Sequence, residues 1–286
     1  MKKYHIYIAS LLTLVSSSAN SASTCYDVSG NQVSISSLAS SGNDFCWGEP
    51  DYYEIQLMEV GLCSTLPTAP TSTTAADATN CNVVYRSTDA SGASVSISNG
   101  VPVELSAGNI QAPPIGTYPY GYAKLSNIFK VKGSADFGAT RTTDRYCVSG
   151  LGTTTNAGSS VSATCASTSG TPLLTTTELV DFFTNNLPNQ FSYTNTSLGL
   201  TAYLVDEDLK LKTSRGSTAT TEYIVGLQTF PTAVNMTDET RCMNLEIQVS
   251  QGTTISGHPQ AGNVTFDSGP FIMNVALETD PSQCPR

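Results

Sequence analysis

Apolar and polar residues alternate with a period of two over much of the chain, in stretches bounded by Gly, Pro, Asn and Ser. That is the pattern of half-buried β-strands. The clearest case is "RCMNLEIQVSQG", where Met243, Leu245, Ile247 and Val249 alternate with Asn244, Glu246, Gln248 and Ser250. One face of such a strand is built for a core and the other for water. In "SVSISNGVPVEL", Val95 and Ile97 alternate with serines, and Val101, Val103 and Leu105 resume the pattern after Asn99-Gly100. This predicts a hairpin, because Asn-Gly tolerates the positive φ angles of a tight turn.

"YYEIQLMEVGLC" sets Tyr53, Ile55 and Leu57 against Glu54 and Gln56, then changes phase at Met58 and Val60. The change predicts a bulge or a strand buried on both faces. "NVVYRS" and "QAPPIGTYPYGYAKLSNIFKVKG" complete a first set of strands; "AYLVDEDLKLK", "TEYIVGLQTF" and "FIMNVALET" belong to a second. One helix is expected. Thr175 and Glu178 have the capping-box spacing, and Leu179, Val180, Phe182, Phe183 and Leu187 form an apolar face until Pro188.

No repeat recurs at a fixed period, which argues against a solenoid or propeller. Alternating strands joined by turns, with one short helix, predict an all-β fold of antiparallel β-sandwiches, divided into two domains at 24–133 and 134–286. The second is expected to begin with a Ser/Thr/Gly-rich excursion at 134–172, stapled by its own cysteines.

The first 22 residues change this picture. Lys2 and Lys3, an apolar run from Ile6 to Val15, and small residues from Ala19 to Ala22 have the three-part layout of a secretory signal peptide. The run is too short to span a bilayer. Cleavage is expected between Ala19 and Ser23, in the style of a bacterial precursor. A lipid anchor at Cys25 is disfavoured, because "SAST" lacks an aliphatic residue three positions earlier. No later apolar stretch reaches about 20 residues, so no membrane-spanning helix is expected in the mature chain.

All eight cysteines lie beyond the leader, and an even number in an exported chain predicts disulfides. Structural zinc is the competing use. No CxxC pair occurs, however, and His258 is the one histidine after the leader. Eight cysteines allow 105 connectivities. Sequential pairing is the expectation, Cys25 with Cys46, Cys63 with Cys81, Cys147 with Cys165 and Cys242 with Cys284, because each then closes a local loop.

Serine and threonine supply about a quarter of the residues, while charged residues make up 13%, against roughly 25% in an ordinary globular domain. Without the leader's lysines the balance is 11 basic to 23 acidic residues, about minus 12. Such a chain has no basic field with which to displace counterions from phosphate, so nucleic-acid binding is disfavoured. Docking on anionic lipid is disfavoured for the same reason.

Candidate chemistry is sparse. A Ser-His-Asp hydrolase needs a histidine base, but His258 lies in the turn-like "ISGHPQAGN" and no GxSxG elbow is present. Disulfide-bonded cysteines are not nucleophiles. Asp51, Glu54, Glu59, Asp206, Glu207 and Asp208 could supply the paired carboxylates of a glycosidase, though spacing along the chain does not place two across a cleft. Asp206 to Asp208, or Asp238 with Glu239, offer oxygen ligands for calcium; neither run has the form of an EF-hand loop. No cofactor is expected. Asn195, Asn235 and Asn263 begin N-x-Ser/Thr triplets.

The most distinctive stretch is "PPIGTYPYGYAKL". In an extended chain Tyr118, Tyr120, Tyr122 and Lys124 share one face, and Pro119, Gly121, Ala123 and Leu125 the other. Stacked tyrosines suit sugar rings or a protein partner; equally, they suit a place in the core or under a loop. The stretch resembles the Pro-x-Gly-x-Tyr lead-in to a late strand of prealbumin-like and Cna-B-like sandwiches of bacterial surface proteins. Over these dozen residues the likeness implies a surface β-sandwich and no functional residues.

The expected function is therefore that of a non-enzymatic extracellular protein, a surface or filament component. It would meet a protein partner, copies of itself or an extracellular glycan through a strand edge or the aromatic patch. The alternative is a secreted carbohydrate-binding protein or glycoside-active enzyme with an acidic cleft. The location would be extracellular or on the cell surface, or else periplasmic.

Overall fold

The computed structural model describes residues 6–9, 22–27, 29–40, 45–97, 103–104, 108–155, 161–182, 189–195, 198–214, 221–257, 259, 262–280, 282 and 284. Its strands are β1 (Ile6–Ala9), β2 (Thr24–Tyr26), β3 (Gln32–Ser34), β4 (Phe45–Gly48), β5 (Tyr52–Cys63), β6 (Cys81–Ser87), β7 (Ala93–Ile97) and β8 (Val103–Glu104). Then come β9 (Gly108–Ile110), β10 (Gly116–Lys132), β11 (Ser134–Asp136), β12 (Tyr146–Val148), β13 (Gly152–Thr155), β14 (Thr164–Ala166) and β15 (Thr175–Glu178). Last are β16 (Gln190–Asn195), β17 (Leu198–Val205), β18 (Tyr223–Met236), β19 (Cys242–Gln248), β20 (Thr253–Ser256), β21 (Thr265–Ser268) and β22 (Ile272–Glu278). Among the described residues the helical content is one 3-10 turn, Ile35–Ser40.

The largest sheet runs β16-β17-β18-β10-β5-β6-β9, with β7 added to β5, β15 to β10 and β13 to β15. Its axis is β10, whose 17 residues are long enough to pair with β18, β5 and β15 in turn. A second sheet has the order β22-β19-β1-β8. The alternation read in "RCMNLEIQVSQG" puts Met243, Leu245 and Ile247 of β19 in one apolar cluster with Tyr53, Ile55 and Leu57 of β5 and Leu125 and Phe129 of β10. Two sheets that bury facing side chains in this way form a β-sandwich.

Two smaller sheets, β21-β20-β4-β2-β3 and β11-β12-β14, enclose a separate core of Ile35, Leu38, Phe137, Ile255, Val264 and Phe266 with Cys25, Cys46 and Cys147. Among the described residues the named strands pair antiparallel except β1 with β19 and β13 with β15, and the isolated bridge Ala22–Ala135 is also parallel. Strands from both sides of residue 133 pair together: β10 with β18, and β4 with β20.

The cysteines pair in sequence, Cys25–Cys46, Cys63–Cys81, Cys147–Cys165 and Cys242–Cys284. Cys63 and Cys81 are register partners on β5 and β6, as are Cys147 and Cys165 on β12 and β14. The phase change in β5 is a bulge: Lys124 pairs with Glu59 and Leu125 with Leu57, so Met58 is skipped.

Two local expectations are corrected. Thr175–Glu178 is strand β15 and not the first turn of a helix; its backbone lies antiparallel to Ile128–Val131 and parallel to Gly152–Thr155. Thr175 and Thr177 are buried while Thr176 and Glu178 are less so, a period of two that suits β-branched side chains. Leu179, Val180 and Phe182 follow without helical structure, Leu179 and Phe182 packing on the main core, and 183–188 lie outside the described residues. The second correction is the hairpin at 95–105. β7 pairs with β5, placing Val95 beside Ile55 and Ile97 beside Tyr53, whereas β8 pairs with β1 in the other sheet. The two halves thus pair with different sheets. The Asn99-Gly100 turn is outside the described residues.

Candidate functional site

The tyrosine stretch forms the first half of β10, and its regular alternation is interrupted. Tyr118 pairs with Val234 of β18 but Tyr120 pairs with Thr229, so the ladder breaks at Pro119 and across Phe230 to Ala233. Proline has no N–H for a ladder, and this break contains two prolines, Pro119 and Pro231. The break sends Tyr118 into the main core, with its hydroxyl donating to the Pro114 carbonyl at 2.7 Å. Tyr120 and Tyr122 instead join a third cluster with Cys63, Tyr203, Val205, Val225 and Leu227.

That third cluster has a cover. Ala69, Ala76 and Ala78 from one loop and Leu209 and Leu211 from another pack on it. The loops are tied together by Ala76 N–H to the Leu209 carbonyl and Leu211 N–H to the Thr71 carbonyl, each at 2.9 Å. Tyr118 and Tyr122 are each 4% exposed, while Tyr120 is half-buried. Burial raises the Tyr122 phenol well above the usual tyrosine value, and nearby Glu59 adds to the rise. Lys124 is also half-buried, with its ammonium 3.7 Å from the centre of the Tyr223 ring. Burial lowers its pKa, and Glu59 opposes the shift.

The carboxylates are engaged individually. Glu59 accepts from Arg86 Nε at 2.7 Å. Glu54 is 7% exposed and accepts from Lys130 Nζ at 2.7 Å, Ser94 Oγ at 2.7 Å and Tyr52 Oη at 2.5 Å. Burial alone would raise the Glu54 pKa; these donors outweigh it, and the carboxyl is held below its usual range. Asp51 is shifted up by burial, against a partial offset from Ser134, its own backbone N–H and Lys132. Asp206 accepts from the backbone N–H groups of Asp208 and Lys210, and Asp208 pairs with Lys210 at 2.8 Å. No group of three or more His, Cys, Asp or Glu that could hold a metal occurs among the described residues.

The Glu54 cluster gives a stability prediction. Replacing Lys130 alone with Met leaves a largely buried carboxylate without its cation, whereas Glu54→Gln with Lys130→Met removes both charges. Because Lys130 is partly exposed, we expect the single change to cost about 1 to 2 kcal/mol and the double change less. Urea unfolding of the two variants checks the order; a double variant weaker than the single one would contradict it.

A surface depression of about 210 Å³ is lined by Thr140, Arg141, Thr142, Thr143 and Asp144. Its one carboxylate, Asp144, lies 2.5 Å from Arg141. Asn235 Oδ1 accepts from Thr117 Oγ1 at 2.7 Å, and His258 is outside the described residues. The strand place beside β19, where β1 lies, has no signal in the alternation of the mature strands. Hydropathy marked Ile6–Ala9 as part of an export leader, and that assignment hides its capacity to pair.

Compared with protein-family models, with curated proteins and with solved structures, the chain matches none.

Proposed function

We propose that this chain is a non-enzymatic extracellular protein, exported by its first 22 residues, that serves as a structural or adhesive component at the cell surface and acts by strand-edge pairing. The observation that supports this reading is the crosslinked sheet framework: four disulfides each close a local loop of an all-β chain. Disulfides persist in oxidising compartments and hold a fold together where its core alone would not. Among the described residues no helix is long and apolar enough to cross a membrane. The loops over Tyr122 and the burial of Tyr118 move the weight of the contact role from the aromatic patch to the sheet edges, the places where sheets in general accept a further strand.

Gold-labelled antibody against the native protein, imaged on the cells that make it, tests the reading. Label concentrated on fibres or a surface coat is the expected result. Diffuse secretion, together with glycan binding or glycoside hydrolysis by the purified protein, would replace it with the carbohydrate-active alternative.

A further inference from the structure

The second sheet of the sandwich is completed by the leader. In the order β22-β19-β1-β8, β1 occupies an inner place, pairing Ile6 with Met243, Tyr7 with Asn244, Ile8 with Leu245 and Ala9 with Glu246. On its other side Tyr7 pairs with Glu104 and Ile8 with Val103. Removal of the leader takes this strand away and leaves β19 with one bare edge above the main core. From there we infer that the mature protein carries a vacant strand place between β19 and β8, filled by an extended apolar segment of another protein lying parallel to β19. This rests on the reading above that the first 22 residues are cleaved on export.

Three observations define the occupant. First, Met243 and Leu245, the register partners of Ile6 and Ile8, are 3% and 2% exposed and belong to the cluster with Tyr53, Ile55 and Leu57. Neighbours in register point to the same face of a sheet, so the two corresponding places of an incoming strand call for aliphatic residues. The intervening places are in register with Glu104, Asn244 and Glu246, which favours neutral or basic residues there.

Second, β1 runs parallel to β19, while β22 on the other side runs antiparallel. A parallel neighbour cannot be delivered by a tight hairpin from β19. Third, the alternating stretches beyond residue 22 that match this pattern, in β5, β7, β10, β17, β18, β19 and β22, are already paired within sheets. A spare strand of the right kind is therefore sought in a different polypeptide. The driving force is twofold: covering apolar side chains, and pairing backbone groups that cost about 1 to 3 kcal/mol each when buried without partners.

The test uses the exported protein with its disulfides intact, unfolded in guanidinium to release any retained chain and refolded by dilution. The probe is a synthetic peptide of residues 4–11 with lysines added for solubility and a photo-reactive phenylalanine analogue in place of Tyr7. Refolding with the peptide should slow amide exchange at Met243 to Ile247 by about tenfold or more and place the crosslink at 243–245 and 103–104. A scrambled peptide without the alternation should do neither. Equal behaviour of both peptides, or none from either, would overturn the inference.

Mass spectrometry of the native exported protein supplies the other arm. A second polypeptide held at β19 and lost only on unfolding supports the proposal. A chain that retains residues 6–9 overturns it, and so does a second copy crosslinked at the same place, since the occupant would then be this chain itself. Surface labelling with no strand capture would discard only this inference; diffuse label together with glycan binding or glycoside hydrolysis would discard the functional reading beneath it.

Discussion

Reduction of the four disulfides is expected to unfold the protein under otherwise native conditions. The bridges close loops with sequence separations of 21, 18, 18 and 42 residues. In the chain-entropy model each loop of this size contributes about 3 to 4 kcal/mol, so together they approach or exceed the whole stability of a typical domain, about 5 to 15 kcal/mol. Trp47, the one tryptophan, reports the transition: it is 6% exposed, adjoins Cys46, and meets the Phe191 ring edge-on at 5.6 Å. Its emission should shift to the red on adding reductant without denaturant. Replacing Cys63 and Cys81 together with Ala should lower stability by about 3 kcal/mol, since that bridge closes a loop with a sequence separation of 18 between register partners of β5 and β6. A urea midpoint unchanged by reductant would refute the claim that the crosslinks support this fold.

The disulfide pairing was legible because each bridge is local, and the strands were legible because their partners lie on one face at a time. Met58 illustrates how far that reading reaches: the change of phase at Met58 and Val60 allows a bulge or a strand buried on both faces, and the ladder shows that β5 skips Met58 against β10. The errors arose where the deciding partner is distant in sequence. Thr175–Glu178 carries a helix-start spacing, but the backbone at Ile128–Val131 gives it a ladder, and β-branched threonines fit a ladder better than a helix. The Asn99-Gly100 dipeptide marks a turn, yet the strands on either side of it belong to opposite sheets. The tyrosine stripe was misread as one face for a local reason. A period of two holds only while the ladder is regular, and the irregularity at Pro119 and Pro231 puts Tyr118 on one side of the sheet and Tyr122 on the other.

Asp267 should make the protein most stable in mildly acidic solution. Its carboxyl lies on β21 with Oδ1 shut off from solvent and without a hydrogen-bond partner, while Oδ2 accepts from Thr265 Oγ1 at 3.3 Å. Burial pushes its pKa up from 3.8 to about 6, and the Thr265 hydroxyl only partly offsets the shift. A carboxyl raised in the folded state binds its proton more tightly there than in the unfolded chain. Stability from this group is thus complete below the unfolded value and falls as pH rises through about 6. Glu54 and Asp136 work in the opposite sense. Donors from Lys130, Tyr52 and Ser94 depress Glu54 against its burial, and Arg145 depresses Asp136, so their contributions are present above the usual carboxylate range and are lost as pH falls. A maximum between the two branches follows. Asp267→Asn removes the branch above it: relative to the parent, the variant should gain about 2 kcal/mol between pH 4 and pH 8, whatever constant offset the amide introduces. Chemical denaturation at both pH values measures that gain. A stability difference from the parent that is the same at pH 4 and pH 8 would mean that Asp267 titrates as an ordinary carboxyl.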